Sequence, residues 1–137
     1  MTLQDPLPQD HPSRLLKFRG NARLWEEQIV RRQKVIDRIT YVDGKWMWTG
    51  QAKSARGGKY LQFSISVGQG MQYLANARHV IFYLANGWVD PETQMYLAKD
   101  GDPLNVHPQN IVPSPPKVTA REKNNLWSVD QLRTYFG

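Results

Sequence analysis

The chain has 137 residues, which is enough for one domain with a modest core and too few for two. It contains no cysteine, so a disulfide framework and a thiolate zinc site are excluded, and any metal would be bound by oxygen or imidazole ligands. The 18 Lys and Arg residues against 12 Asp and Glu give a net charge of +6.

The excess positive charge lies in the N-terminal part of the chain. Residues 1–60 carry twelve basic and six acidic side chains, whereas residues 61–137 carry six of each. A basic segment of this kind suits a polyanion, because each neutralised phosphate releases counterions. A solubilising surface explains the charge alone equally well, so both interpretations stay open.

Residues 1–20 predict an extended basic arm, because prolines interrupt helix formation and basic residues follow them. Three alternatives stay open: the arm lies along a DNA duplex, it lies along a partner subunit, or it is disordered. Residues 1–12 lack the apolar stretch of a signal peptide, and no apolar run is long enough to span a membrane. We therefore expect a soluble protein of the cytoplasm that does not contact membranes.

After the arm, residues 21–39 show an approximately helical spacing of apolar side chains, which predicts a helix. Acidic residues near its start and basic residues towards its end suit the helix dipole. The basic cluster of Arg31, Arg32 and Lys34 therefore has a structural explanation as well as a DNA-binding one.

A β-hairpin is predicted next, with a turn at Asp43-Gly44 between strands at 40–42 and 46–49. Its alternating aromatic residues, Trp46 and Trp48, are expected in the core rather than stacked on bases.

Residues 51–59 predict a glycine-rich loop with the basic residues Lys53, Arg56 and Lys59. Such a loop brings backbone close to phosphates or forms a plain surface turn. Partial alternation over residues 60–67 predicts a further strand, so a small antiparallel sheet is expected.

Residues 71–86 predict a second helix that ends at Gly87 and contains His79. A lone histidine on such a helix is more often a packed or capping residue than a ligand. A strand at 94–97, a polar turn from Lys99 to Asp102 and a strand at 109–112 follow. Capping boxes predict two further helices, one starting at residues 119–122 and a final short one at 128–131. The order over residues 94–127 is thus strand, turn, strand, helix.

Three blocks of the sequence resemble the HNH (His-Me finger, ββα-metal) endonucleases that are common in bacteriophages. The blocks are WMWTG at 46–50, ARHVIFYLANG at 77–87 and YLAKDGDPLNVHPQNI at 96–111. The resemblance implies an α+β fold in which a ββα-metal core, at about 94–127, carries a small antiparallel sheet and a helical N-terminal extension. The expected division is an arm at 1–20, a nuclease domain at 21–125 and a C-terminal helix at 126–137.

The implied activity is hydrolysis of phosphodiester bonds in double-stranded DNA, by nicking or double-strand cleavage, with one Mg²⁺ or Mn²⁺ ion. In this family a histidine deprotonates the attacking water while the metal stabilises the developing charge. That histidine position is Ala98. Asn105 and Asn110 match the asparagines that brace the loop, and Asn124, followed by Asn125, is the candidate metal ligand. The expected DNA contacts are Arg31, Arg32, Lys34, Lys53, Arg56, Lys59, His79, Lys99 and His107.

Two departures from the family pattern bear on activity. Ala98 has no proton-accepting group, and the loss of a general base costs a factor of about 10² to 10⁴ in rate. Leu97 stands where many relatives have an aspartate metal ligand. Either Ala98 reflects natural loss of activity or it is a deliberate substitution of histidine, which the intact neighbours of Ala98 favour. The rival function is a naturally inactive module that binds DNA or docks on another protein.

Overall fold

The computed structural model describes residues 8–17, 25–55, 58–90, 93, 95–114 and 126–136. The helices in these ranges are α1 (Pro12–Leu15), α2 (Trp25–Ile36), α3 (Ala77–Asn86) and α4 (Val129–Phe136). The strands in the same ranges are β1 (Ile39–Val42), β2 (Lys45–Trp48), β3 (Gln51–Ala55), β4 (Gly58–Gly68), β5 (Met71–Asn76), β6 (Met95–Ala98) and β7 (Ile111–Ser114).

The fold is α+β with small antiparallel sheets, as the sequence predicts. Within the described ranges, the sheets are the hairpin β1–β2, the three-stranded sheet β3–β4–β5 and the hairpin β6–β7. β6 and β7 form the predicted strand, turn and strand. The helix expected to complete a ββα core would begin within 115–125, which lie outside the described residues.

The hairpin β1–β2 confirms the prediction made from Asp43-Gly44. Both residues have positive φ, 49° and 80°. A two-residue hairpin turn of this handedness matches the twist of the strands it joins. Trp46 and Trp48 are both buried, in agreement with their expected place in the core.

Two predictions between residues 51 and 76 are wrong. The expected loop at 51–59 contains strand β3, which in the described ranges pairs with β4 and lies at the edge of its sheet. The helix expected from residue 71 begins at Ala77, because residues 71–76 form β5 and pair with β4 across a turn at Gln69-Gly70. Sheet pairing outweighs the helical spacing of this stretch, and the Asn76 side chain then caps α3 by accepting from the Arg78 amide at 2.9 Å.

The arm predicted as extended is also corrected for residues 8–17. Pro12 occupies the first turn of α1, where its missing N–H costs nothing, and His11 Nδ1 accepts from the Ser13 amide at 3.1 Å. Leu16 is fully buried in the core, and the Lys17 amide donates to the Leu84 carbonyl oxygen at 3.2 Å. Burial of one large apolar side chain fixes this part of the arm to the domain.

The core surrounds α3, which is buried along residues 77–84. α4 begins at the predicted capping box: the Ser128 amide donates to Gln131 Oε1 at 2.9 Å, and the Gln131 amide donates to Ser128 Oγ at 3.1 Å. Leu132 and Phe136 of α4 are buried in the same core. Val106, in the loop between β6 and β7, and Ile111, the first residue of β7, belong to the same core cluster.

Candidate functional site

Ala98 lies at the end of β6, where the loop that carries the HNH-like pattern begins. It pairs with Ile111, the first residue of β7. The Lys99 amide donates to the Asn110 carbonyl oxygen at 2.8 Å, and the Gly101 amide donates to the Ala98 carbonyl oxygen at 3.1 Å. Both ends of the loop are thus closed directly beside Ala98.

Asn110 holds the first half of this loop with its side chain. Its Oδ1 accepts from the Asp100 amide at 2.8 Å, and its Nδ2 donates to the Asn105 carbonyl oxygen at 2.9 Å. The Asn110 side chain is buried and therefore shielded from water. The two hydrogen bonds give its polar atoms the partners that water no longer supplies.

Asn105 joins the loop to the hairpin β1–β2. Its Oδ1 accepts from the Trp46 amide at 3.0 Å and from the His107 amide at 3.2 Å, while its Nδ2 donates to Asp100 Oδ2 at 3.0 Å. The Val106 amide also donates to the Trp46 carbonyl oxygen at 2.7 Å. The WMWTG and YLAKDGDPLNVHPQNI blocks are therefore in direct contact.

The two aspartates of the loop stabilise its turns. Asp100 Oδ1 accepts from the Asp102 amide at 2.8 Å, and Asp102 Oδ1 accepts from the Leu104 amide at 3.1 Å. The hydrogen bond from Asn105, together with that from the Asp102 amide, lowers the pKa of Asp100. Gly101 occupies the left-handed region at φ 81°, as the tight turn requires.

Ala98 is half-buried and lies on the same side of β6 as Tyr96, two residues earlier. Tyr96 is buried against α3, whereas Leu97 points to the opposite side and is exposed beside its partner Val112. Residue 98 therefore lies on the core-facing side of the strand, at its open end. A methyl group at this place cannot accept a proton.

Among the described residues, no group of three or more His, Cys, Asp or Glu side chains is arranged to hold a metal ion. Both Asp100 oxygens already accept hydrogen bonds within the turn. The candidate ligands Asn124 and Asn125 lie outside the described residues.

His79 is a core residue, which corrects its expected contact with DNA. It is 3% exposed, Nε2 lies 2.6 Å from the Trp127 carbonyl oxygen and Nδ1 lies 2.6 Å from the Tyr96 hydroxyl. Because a carbonyl oxygen only accepts, Nε2 carries the proton and Nδ1 accepts from the tyrosine. Burial lowers the pKa of His79 to about 4, so the ring is neutral at pH 7.

His107 is likewise buried, which corrects the expectation that it contacts DNA. Its Nδ1 accepts from the Gln109 amide at 3.1 Å, and its ring packs on that of Trp46 with the centroids 5.0 Å apart. Burial lowers the pKa of His107, while the nearby Asp10 carboxylate opposes that effect. The histidine caps the 3₁₀ turn Pro108–Asn110 instead of facing solvent.

Arg31 and Arg32, which are half-buried, make hydrogen bonds within the chain. Arg31 donates to the Tyr135 carbonyl oxygen at 2.6 Å, and its guanidinium lies 4.2 Å from the centre of the Tyr135 ring. Arg32 donates to the carbonyl oxygens of Leu16 and Ser13. The two arginines hold α4 and the N-terminal segment to α2.

Of the remaining expected DNA contacts, Lys34 and Lys99 are exposed, and Lys99 adjoins Ala98. Arg56 lies outside the described residues, and the side chains of Lys53 and Lys59, on β3 and β4, are likewise outside the described part.

Sequence reasoning missed Asp10, whose carboxylate accepts from the Tyr41 hydroxyl at 2.7 Å and lies 3.5 Å from His107 Nε2. Asp10 is an isolated aspartate in a proline-rich segment. No local pattern in the sequence marks it as a partner of Tyr41 and His107, which follow it by 31 and 97 positions. Its role is visible only once the fold brings these elements together.

Comparison of the chain with protein-family models, curated proteins and solved structures found no match. Along the described ranges, no helix is both long enough and apolar enough to cross a membrane.

Proposed function

We propose that this chain is an HNH-type DNA endonuclease scaffold in which Ala98 occupies the position of the general base. With histidine at 98 it would hydrolyse phosphodiester bonds of double-stranded DNA in the presence of Mg²⁺ or Mn²⁺. With alanine at position 98, it binds DNA without cutting it.

The observation that carries the proposal is the bracing of the loop after Ala98 by Asn105 and Asn110. These are the two asparagines that the resemblance assigns to this task, and both are buried and bonded within the loop. A general base works only when it is held within hydrogen-bonding reach of the water it deprotonates. The hydrogen-bonded loop that begins at residue 98 supports this role, because it would hold the backbone from which the base projects.

The residues have separate parts in the proposed reaction. A histidine at 98 would accept the proton of the attacking water, and Asn110 and Asn105 would keep its backbone in place. Lys99, which is exposed next to it, would contact a phosphate. Asn124 and Asn125 would hold the divalent ion, which supplies stabilisation of the charge that develops on the phosphate.

The test is cleavage of supercoiled plasmid by Ala98→His with Mg²⁺ or Mn²⁺. Ala98→Gln is the matched control, because glutamine adds a polar side chain of similar length without a titratable base. Nicked or linear product with Ala98→His only, abolished by chelation of the metal, supports the proposal. No metal-dependent cleavage of any duplex by Ala98→His would rule it out.

A second candidate function is that of a binding module which has lost its chemistry, and Ala98 itself is the observation that favours it. The two candidates differ in the natural gene: a histidine codon at position 98 indicates the enzyme, and an alanine codon indicates the module. Salt-dependent affinity for DNA is expected in both, whereas a module that docks on another protein would show none.

A further inference from the structure

We propose that Asp10 is a positioning residue for the loop after Ala98 and that it acts through His107. The proposal deepens the nuclease assignment and rests on it for the catalytic meaning of the loop. The contacts themselves hold whether or not the chain cleaves DNA.

Asp10 is the point at which the N-terminal segment meets both the hairpin β1–β2 and the loop. Its carboxylate accepts from the Tyr41 hydroxyl on β1 at 2.7 Å, and its carbonyl oxygen accepts from Trp46 Nε1 on β2 at 2.7 Å. The second carboxylate oxygen lies 3.5 Å from His107 Nε2. The residues that follow Asp10 are anchored by the burial of Leu16 and by the hydrogen bond from Arg32 to the Leu16 carbonyl oxygen.

His107 connects Asp10 to the end of the loop, because one ring nitrogen faces Asp10 and the other caps the turn Pro108–Asn110. Because Nδ1 accepts from the Gln109 amide, the proton of the neutral ring is on Nε2, which faces Asp10. In this tautomer the Nε2–H faces the carboxylate 3.5 Å away, while Nδ1 caps the 3₁₀ turn Pro108–Asn110. The Asp10 carboxylate therefore selects the ring form that the cap needs.

The capped turn ends at Asn110, which holds the residues next to Ala98. The Asn110 amide donates to the His107 carbonyl oxygen at 2.8 Å, while its own carbonyl and side-chain oxygens accept from the Lys99 and Asp100 amides. A continuous set of contacts thus leads from Asp10 through His107 and Asn110 to the first residues after position 98.

The charged and titratable groups around this pair are few among the described residues. Tyr41 faces the Asp10 carboxylate, and Asp43 acts on Tyr41 through its charge. The His11 ring lies 5.5 Å from that of Tyr41, and the uncharged Trp46 ring covers His107. Asp10 is the carboxylate that faces His107 itself.

The experiment compares Asp10→Asn with Asp37→Asn, an exposed aspartate at the end of α2 that makes the same change of charge. NMR measures the pKa of His107 and the hydrogen exchange of the Lys99 and Asp100 amides. In Asp10→Asn we expect a lower pKa of His107, because the imidazolium loses its carboxylate, and exchange at least about threefold faster at both amides. Asp37→Asn should leave both quantities unchanged, and Asp10→Glu should restore them in part.

Unchanged exchange at Lys99 and Asp100 in a folded Asp10→Asn would overturn the proposal. Should that variant fail to fold, hydrogen exchange is measured in Tyr41→Phe, which removes a hydrogen bond that holds the same carboxylate. Faster exchange at Lys99 and Asp100 supports the proposal, and unchanged exchange overturns it. In the Ala98→His background, Asp10→Asn should lower kcat more than it changes KM, and Asp37→Asn should change neither. Absence of cleavage in that background would count against the nuclease assignment, while the NMR result would still decide the role of Asp10.

Discussion

The buried side chain of Asn110 accepts a hydrogen bond from the amide of Asp100, ten residues earlier, at 2.8 Å. This bond closes the loop immediately after Ala98, the position that we propose for a general base. Its second partner, the Asn105 carbonyl oxygen, lies in the middle of the same loop.

Replacement of Asn110 by alanine should therefore destabilise the chain. The Asp100 amide and the Asn105 carbonyl oxygen would lose their partner, at a cost of about 2 kcal/mol in the free energy of unfolding. Urea unfolding measures this cost, with the exposed neighbour Gln109→Ala as the matched control, expected to change stability by less than about 0.5 kcal/mol. Equal stabilities of the two variants would show that the Asn110 side chain does not brace the loop.

The buried His79 should make stability depend on pH. Its pKa in the folded chain is about 4, against an ordinary value of 6.5, so the unfolded chain binds this proton more tightly. The stability linked to neutral His79 is complete above pH 6.5 and is lost as the pH falls from 6.5 to about 4, by roughly 3 kcal/mol in all.

The test is urea unfolding of the parent chain and of His79→Gln between pH 4 and 7. The carboxylates titrate alike in both proteins, so their contribution cancels when the two free energies of unfolding are subtracted. The variant should lose less stability on acidification than the parent chain. The same pH dependence in both would place the titration on other groups.

Arg32 should hold the N-terminal segment against the domain. Arg32→Met keeps an unbranched apolar stem and removes the hydrogen bonds to the carbonyl oxygens of Leu16 and Ser13. We expect cleavage by trypsin at Arg14 and Lys17 to become about tenfold faster, because local opening of the segment becomes easier. The control is Lys34→Met, an exposed cation on the same helix. If both variants were cut at the parental rate, the segment would not depend on Arg32.

Local signals in the sequence predicted local structure well. The turn at Asp43-Gly44 and the capping box at Ser128 were both found, because each depends on the conformational needs of a few adjacent residues. The helix expected from residue 71 was wrong in its first part. There, pairing with β4 decides the conformation, and the spacing of apolar side chains carries no information about a partner strand.

Of the candidate site, the sequence predicted only the asparagines that hold the loop after Ala98. Asn105 and Asn110 were identified through a family pattern, and their hydrogen bonds agree with the bracing expected of them. His79 was named as a candidate DNA contact, although a lone histidine on such a helix is more often packed, and α3, which is buried along residues 77–84, places it in the core. Asp10 and Arg32 act through the packing of the N-terminal segment on distant elements, which no short motif encodes.

The most direct test of the central claim is the rate of plasmid cleavage by Ala98→His, measured against pH with Mg²⁺ or Mn²⁺ and compared with Ala98→Gln. If residue 98 is the position of the general base, the histidine variant should cleave about 10² to 10⁴ times faster than the glutamine variant. Its rate should also rise with pH to a plateau above about 6.5, as the imidazole loses its proton. Equal rates in the two variants, or no cleavage by either at any pH, would contradict the assignment of Ala98 to that position.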